Sequence, residues 1–192
     1  MNCPVVIVPG LRDYVEQHWQ TLLERQLRAR GDTVHAVPPM GRDALDRAAR
    51  VAAVDEALRL AGDGAVLVAH SAGCLTVAHW AASAPDKAGK VRAALLAVPP
   101  DFETSMPEGY PGIEALRGAG WLPMPRARLP FRTLVAASRN DPLAGVERIR
   151  QMACDWGAKC VDLGEVGHLN PASGYGSWPH AEEFLRQLGE SS

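Results

Sequence analysis

Five short apolar runs punctuate the chain without polar alternation: "PVVIVP" (4–9), "AVLVA" (65–69), "AALLAV" (93–98), "TLVAA" (133–137) and "CVDL" (160–163). A strand with one wet face alternates apolar and polar residues, so unbroken runs of this length read as strands covered on both faces, as in a parallel sheet. A sixth, more polar run, "TVHAV" (33–37), suits a sheet edge. Between the runs lie segments with helical spacing. These are Trp19, Leu22, Leu23 and Leu27; Leu45, Ala48, Ala49 and Ala52 after an N-cap at Asp43; and Val146, Ile149 and Ala153, stopped near Gly157. Such alternation builds an α/β fold of three layers, about six mostly parallel strands with helices on both faces. Ligand sites in these folds lie in loops beyond the carboxyl ends of the strands, so functional residues are expected immediately after a strand.

A chain of 192 residues, 47% of them hydrophobic, is expected to form one domain spanning 1–192. Its net charge of −2 comes from scattered acidic and basic residues, without the basic block that nucleic acid or an anionic membrane demands. The apolar runs are far shorter than the roughly 18 residues of a membrane span, and the start "MNCPVVIVPG" lacks the pattern of a secretory leader. A cytoplasmic protein is the expectation. Cys3, Cys74, Cys154 and Cys160 show no paired spacing and read as reduced thiols.

One connection is unusually long. Residues 99–130 hold seven prolines and also carry Phe102, Tyr110, Trp121, Leu122 and Met124. Because the segment leaves the carboxyl end of a strand, it reads as a flap over the site, with Phe102 and Trp121 as candidate substrate contacts; a plain surface excursion is the alternative.

The third strand run leads into "AHSAGCL". Strand, tight turn and helix are the context of a nucleophile elbow, whose central residue adopts a strained backbone and crowds the positions two before and two after it. Those positions are Ala69 and Gly73, both small, although the strict pattern has glycine at the first. The helix after Ser71 would aim free backbone N–H groups at whatever the hydroxyl attacks, and the N–H of Ala72 is one candidate oxyanion donor. Ser71 also fits an ordinary helix N-cap, and the local pattern leaves both readings open.

A reactive serine needs a base and a carboxylate to orient that base. His168 lies in an irregular loop after a late strand, in "GEVGHLNPASGYGSWP". His18 and His79 fall in helical segments, His35 in the edge strand and His180 near the last helix. His70 adjoins Ser71 but should point to the other side of the strand end. For the acid, Asp141 follows the fifth strand run in "AASRNDP", where it could equally cap a helix begun by Pro142. Asp162 and Glu165 are the substitutes. In the first loop, "VPGLRD", the N–H of Leu11 is a second oxyanion candidate. Arg12 could recognise an anionic group, but a surface ion pair is the favoured role.

These segments together resemble the small serine hydrolases typified by retinoblastoma-binding protein 9 and its bacterial relatives, a compact α/β-hydrolase branch. The resemblance spans nearly the whole chain and rests on "VPG" with "HWQ" downstream, "AHSAG", "VAASRNDP" and above all "GHLNPASGYGSWP". It implies catalytic roles for Ser71, Asp141 and His168, and hydrolysis of carboxylic esters or amides without a cofactor. Trp19 and Trp178 lie in matching segments and read as packing residues. The expected partner is a small-molecule ester; no nucleic acid or membrane is expected, and nothing indicates a protein partner. A binding protein on the same fold is the rival reading. Nucleotide and metal chemistry find no motif: the first loop lacks GxGxxG, and HExxH and paired Cys/His ligand spacings do not occur.

Overall fold

The computed structural model describes residues 3–190. Its strands are β1 (Val5–Val8), β2 (Val34–Ala36), β3 (Val66–His70), β4 (Ala93–Ala97), β5 (Arg132–Ala137) and β6 (Lys159–Asp162). They form one parallel sheet in the order β2-β1-β3-β4-β5-β6. The helices are α1 (Trp19–Ala29), α2 (Arg47–Ala61), α3 (Ala72–Ser83), α4 (Pro85–Ala88), α5 (Ile113–Gly118), α6 (Val146–Asp155) and α7 (Pro179–Gly189). Among the described residues no helix is long and apolar enough to cross a membrane.

Side chains alternate across the sheet and divide the core in two. Val6, Val8, Leu67, Ala69 and Leu96 face a cluster with α2, α3 and α6, whereas Val5, Ile7, Val66, Val68 and Leu95 face α1 and α7. Both faces of the central strands are therefore dry, which is why their sequences show no alternation. "CVDL" departs from that expectation: β6 is the outer strand beside β5, and Lys159, Cys160 and Asp162 are exposed. A sheet with six strands has two edges, and β6 takes the one opposite β2.

Helix α2 also departs from the sequence reading. Its N-cap is Asp46, whose carboxylate accepts from the N–H groups of Ala48 and Ala49, and not Asp43. Its buried residues are Arg50, Val54, Ala57 and Leu58, while Ala48, Ala49 and Ala52 are exposed. Alanine is small enough for either face, so the larger Val54 and Leu58 decide which side turns inward. Helix α3 is covered on nearly all sides, with every residue from Ala72 to Ala81 buried. The long connection 99–130 is mostly exposed or half-buried but is anchored to the core by Phe102, Leu116, Trp121, Met124 and Leu129, which are buried in the larger cluster. The described cysteines are all free thiols.

Candidate active site

Ser71 stands between the last residue of β3 and the first of α3 with φ 57° and ψ −132°, in the region that L-residues seldom occupy. Its N–H bonds to the Ala97 carbonyl, so the sheet ladder runs up to the turn itself. The turn is possible because Gly73 and Gly10 carry no Cβ where neighbouring atoms press close. A Cβ on Gly73 would lie 2.5 Å from the Val8 carbonyl oxygen, and one on Gly10 would lie 2.9 Å from Ser71 Cβ. Ala69 is fully buried, and its methyl group fits within the α2–α3 side of the core. The Ser71 side chain does not cap α3. Its hydroxyl lies 2.9 Å from His168 Nε2 instead.

His168 Nδ1 lies 2.8 Å from Asp141 Oδ2 and 3.0 Å from Oδ1. Because an ionised carboxylate only accepts, Nδ1 carries the proton and Nε2 is left as the acceptor for the serine hydroxyl. Ser71, His168 and Asp141 come from the loops after β3, β6 and β5, and the sheet brings their ends together. Asp141 Oδ1 also accepts the Leu143 N–H at 2.9 Å, making a turn. The following helix, α6, starts only after the N-cap Gly145, so Asp141 is not a helix cap. The substitute acids are elsewhere: Asp162 is bound by Arg139 and Arg150, and Glu165 is exposed.

A shell of polar residues, of which the sequence reading weighed only His70, holds this arrangement. Asn140 Oδ1 accepts from the Gly167 N–H at 2.7 Å and from the Ser138 hydroxyl at 3.0 Å, which ties the Asp141 loop to the His168 loop. Ser173 Oγ accepts the His168 N–H at 3.0 Å and donates to Asn170 Oδ1 at 3.0 Å. His70 packs behind His168 with its ring centroid 5.0 Å away, and its Nε2–H donates to the His168 carbonyl at 2.9 Å. Burial keeps His70 neutral by moving its pKa well below the usual histidine value. The only sequence trace of this shell is the cluster of small polar residues around the two loops.

The first loop is held in the same way. The buried Arg50 guanidinium donates to the carbonyls of Gly10, Gly41 and Ala44. Gly10 O also accepts the Arg12 N–H at 3.0 Å. In a trans peptide the N–H points away from the C=O, so the Leu11 N–H is turned away from Arg50. Among the described residues neither the Leu11 nor the Ala72 N–H has a hydrogen-bond partner, and both residues line the cavity at Ser71.

That cavity measures about 240 Å³. Phe102, Met106 and Tyr110 from the long connection form one wall, and Arg12 and His18 from the first loop form another. Trp121 does not line it; its ring is buried, its Nε1–H donates to the Leu45 carbonyl, and it packs edge-on against Phe102. Arg12 makes no ion pair among the described residues, contrary to the surface role expected for it. His18 is not inside a helix but caps α1, with Nδ1 accepting the Gln20 N–H at 3.2 Å. Burial lowers its pKa to about 3. Among the described residues no group of three or more His, Cys, Asp or Glu side chains is gathered so as to hold a metal ion.

The fold is shared with several solved structures. A putative YdeN-like hydrolase from Pectobacterium atrosepticum is 27% identical, with a TM-score of 0.77 over 97% of this chain and 90% of that one. The ydeN gene product of B. subtilis superposes with a TM-score of 0.74 at 18% identity, covering 97% and 98% of the two chains. Est1E from Butyrivibrio proteoclasticus, solved with ferulic acid bound, is similar at 15% identity and a TM-score of 0.65, over 98% of this chain and 90% of that one. A comparison with curated proteins returned no match. The model of the serine hydrolase family matches residues 5–187, nearly the whole chain, and the protein belongs to that family.

Proposed function

We propose that the protein hydrolyses carboxylic esters of small molecules through a Ser71–His168–Asp141 triad, Ser71 standing at a nucleophile elbow. The observation that carries this reading is the unbroken line of contacts from the Ser71 hydroxyl through His168 to the Asp141 carboxylate, at 2.9 and 2.8 Å. His168 Nε2 takes the hydroxyl proton as Ser71 Oγ attacks the ester carbonyl. Asp141 holds the ring in the required tautomer and stabilises its charged form. The negative charge that develops on the carbonyl oxygen meets the N–H groups of Leu11 and Ala72, which need no reorganisation because they are already without partners. His168 then returns the proton to the departing alcohol, leaving an acyl-serine. A water molecule, deprotonated by His168, attacks that acyl group, and His168 passes the proton to Ser71 Oγ as the acid departs, which restores the serine hydroxyl and the neutral imidazole. The connection 99–130 serves as the cover of the site, through Phe102, Met106 and Tyr110.

The test is covalent labelling with a fluorophosphonate together with turnover of para-nitrophenyl esters. Wild-type protein takes the label at Ser71 and turns over the esters, whereas Ser71→Ala takes none and loses turnover by about a thousandfold or more. A folded Ser71→Ala variant with wild-type turnover overturns the reading.

A further inference from the structure

We propose that the cavity beside Ser71 selects esters bearing a carboxylate, with Arg12 as the residue that binds it; this rests on the serine esterase reading above. The residues lining the cavity include two guanidinium groups, Arg12 and Arg42, and neither aspartate nor glutamate. Several arginines outside the cavity are matched with carboxylates, as Arg25 is with Glu16 and Arg139 with Asp162, and the buried Arg50 is satisfied by three backbone carbonyls. Arg12 has only neutral partners among the described residues, the Asp13 backbone carbonyl at 3.1 Å and Gln20 Oε1 at 3.3 Å. Its Nε is buried without a hydrogen bond.

Arg12 is also held in place. Gln20 Nε2 donates to the carbonyls of Val8 and Val68 at 3.0 and 3.1 Å, which ties Gln20 to the last residue of β1 and the middle of β3. Arg12 therefore rests on a group set by the sheet, one residue after the Leu11 N–H that faces the acyl oxygen in the proposed reaction. A planar guanidinium in a fixed position suits a carboxylate better than a mobile ammonium would. Burial lowers the Arg12 pKa to about 10, so the group stays charged at neutral pH while lacking a counter-charge. On the facing rim, Arg42 lies over the Tyr110 ring and donates to the Gly109 carbonyl, adding positive charge at the mouth. His18, neutral through burial, adds none of its own. The remaining wall, with Leu11, Phe102, Met106 and Leu143, suits an apolar body between the ester and its charged end.

Two pairs of substrates place the carboxylate on either side of the scissile bond. One pair is para-nitrophenyl hydrogen adipate and its methyl ester, and the other is para-acetoxybenzoate and its methyl ester. We expect kcat/KM for the charged member to exceed that of its neutral partner by about tenfold in at least one pair, as a charge-assisted hydrogen bond would provide. Arg12→Gln brings this ratio towards one. Arg59→Gln, which removes an exposed arginine paired with Glu56 far from the cavity, leaves it in place. Added salt lowers the wild-type ratio, because the cavity is open to solvent and the attraction is screened. A ratio at or below one in both pairs, or one that Arg12→Gln does not change, overturns the proposal. Neutral esters and the fluorophosphonate label separate the two readings. If they react while the ratio is one, the carboxylate proposal alone fails; if nothing reacts, the esterase reading fails with it.

Discussion

The line from Ser71 to Asp141 joins residues that are 97 and 27 positions apart along the chain, and each contact carries a distinct task. Asp141 accepts from both His168 Nδ1 and the Leu143 N–H, so one carboxylate orients the His168 ring and shapes its own loop. Asparagine keeps an acceptor for Leu143 but can present an N–H to His168, which favours the wrong tautomer. Asp141→Asn should therefore lower kcat by about ten-thousandfold while leaving the melting temperature near wild type. Steady-state ester turnover beside a thermal melt checks this, and a variant within about tenfold of wild type would count against Asp141 as the acid. The sequence made Ser71, Asp141 and His168 legible because each follows a recognisable strand. Its preference for Asp141 over Asp162 and Glu165 rested on order and placement relative to the strands, not on chemistry, and the three carboxylates differ in their partners in space. Arg12 and Trp121 show the same limit. An arginine in a loop and a tryptophan in a proline-rich connection look alike in sequence whether they face a cavity, a carboxylate or the core.

At the level of elements, the site depends on how tightly the end of β1 packs against the start of α3. A methyl group on Gly73 would meet the backbone carbonyls of Val8 and Pro9 at 2.5 and 2.8 Å, and strand backbone cannot move aside as a side chain would. Gly73→Ala is expected to cost about 1–3 kcal/mol and to displace the Ser71 turn, seen as a lower melting temperature and slower fluorophosphonate labelling. Gly118, in α5, supplies the control: an added methyl group there would meet nothing within 4 Å, so Gly118→Ala should not lower stability. Strands were easier to read than helix faces. The buried strands carry a continuous apolar signal, whereas α2 is rich in alanine, and alanine gives no strong preference for either face. Arg50 also defeats a pattern reading: a charged side chain turns inward because it satisfies the carbonyls of Gly10, Gly41 and Ala44.

Across the whole molecule, three buried histidines make stability depend on pH. Burial lowers the pKa of His18 to about 3 and of His79 to about 4, and holds that of His70 well below the usual value. The unfolded chain binds protons that the folded chain refuses, so their contribution is complete above about pH 6.5 and is lost as pH falls towards these lower values. Each histidine should add up to about 1.4 kcal/mol of destabilisation per pH unit in that range. Urea unfolding between pH 7 and 5 measures the slope, and equal stability across it would rule out neutral burial of all three. By itself the sequence determined the alternation of strands and helices, and with it the edge of the sheet on which Ser71, Asp141 and His168 would appear. Those features are local, because periodicity and strand ends are properties of neighbouring residues. Only the tertiary structure decided which acid meets His168, that Arg12 lines the cavity while Trp121 enters the core, and that Gln20, Arg50, Asn140 and Ser173 hold the loops. Burial and hydrogen bonding are set by segments far apart in the chain, and no local pattern records which of them will meet.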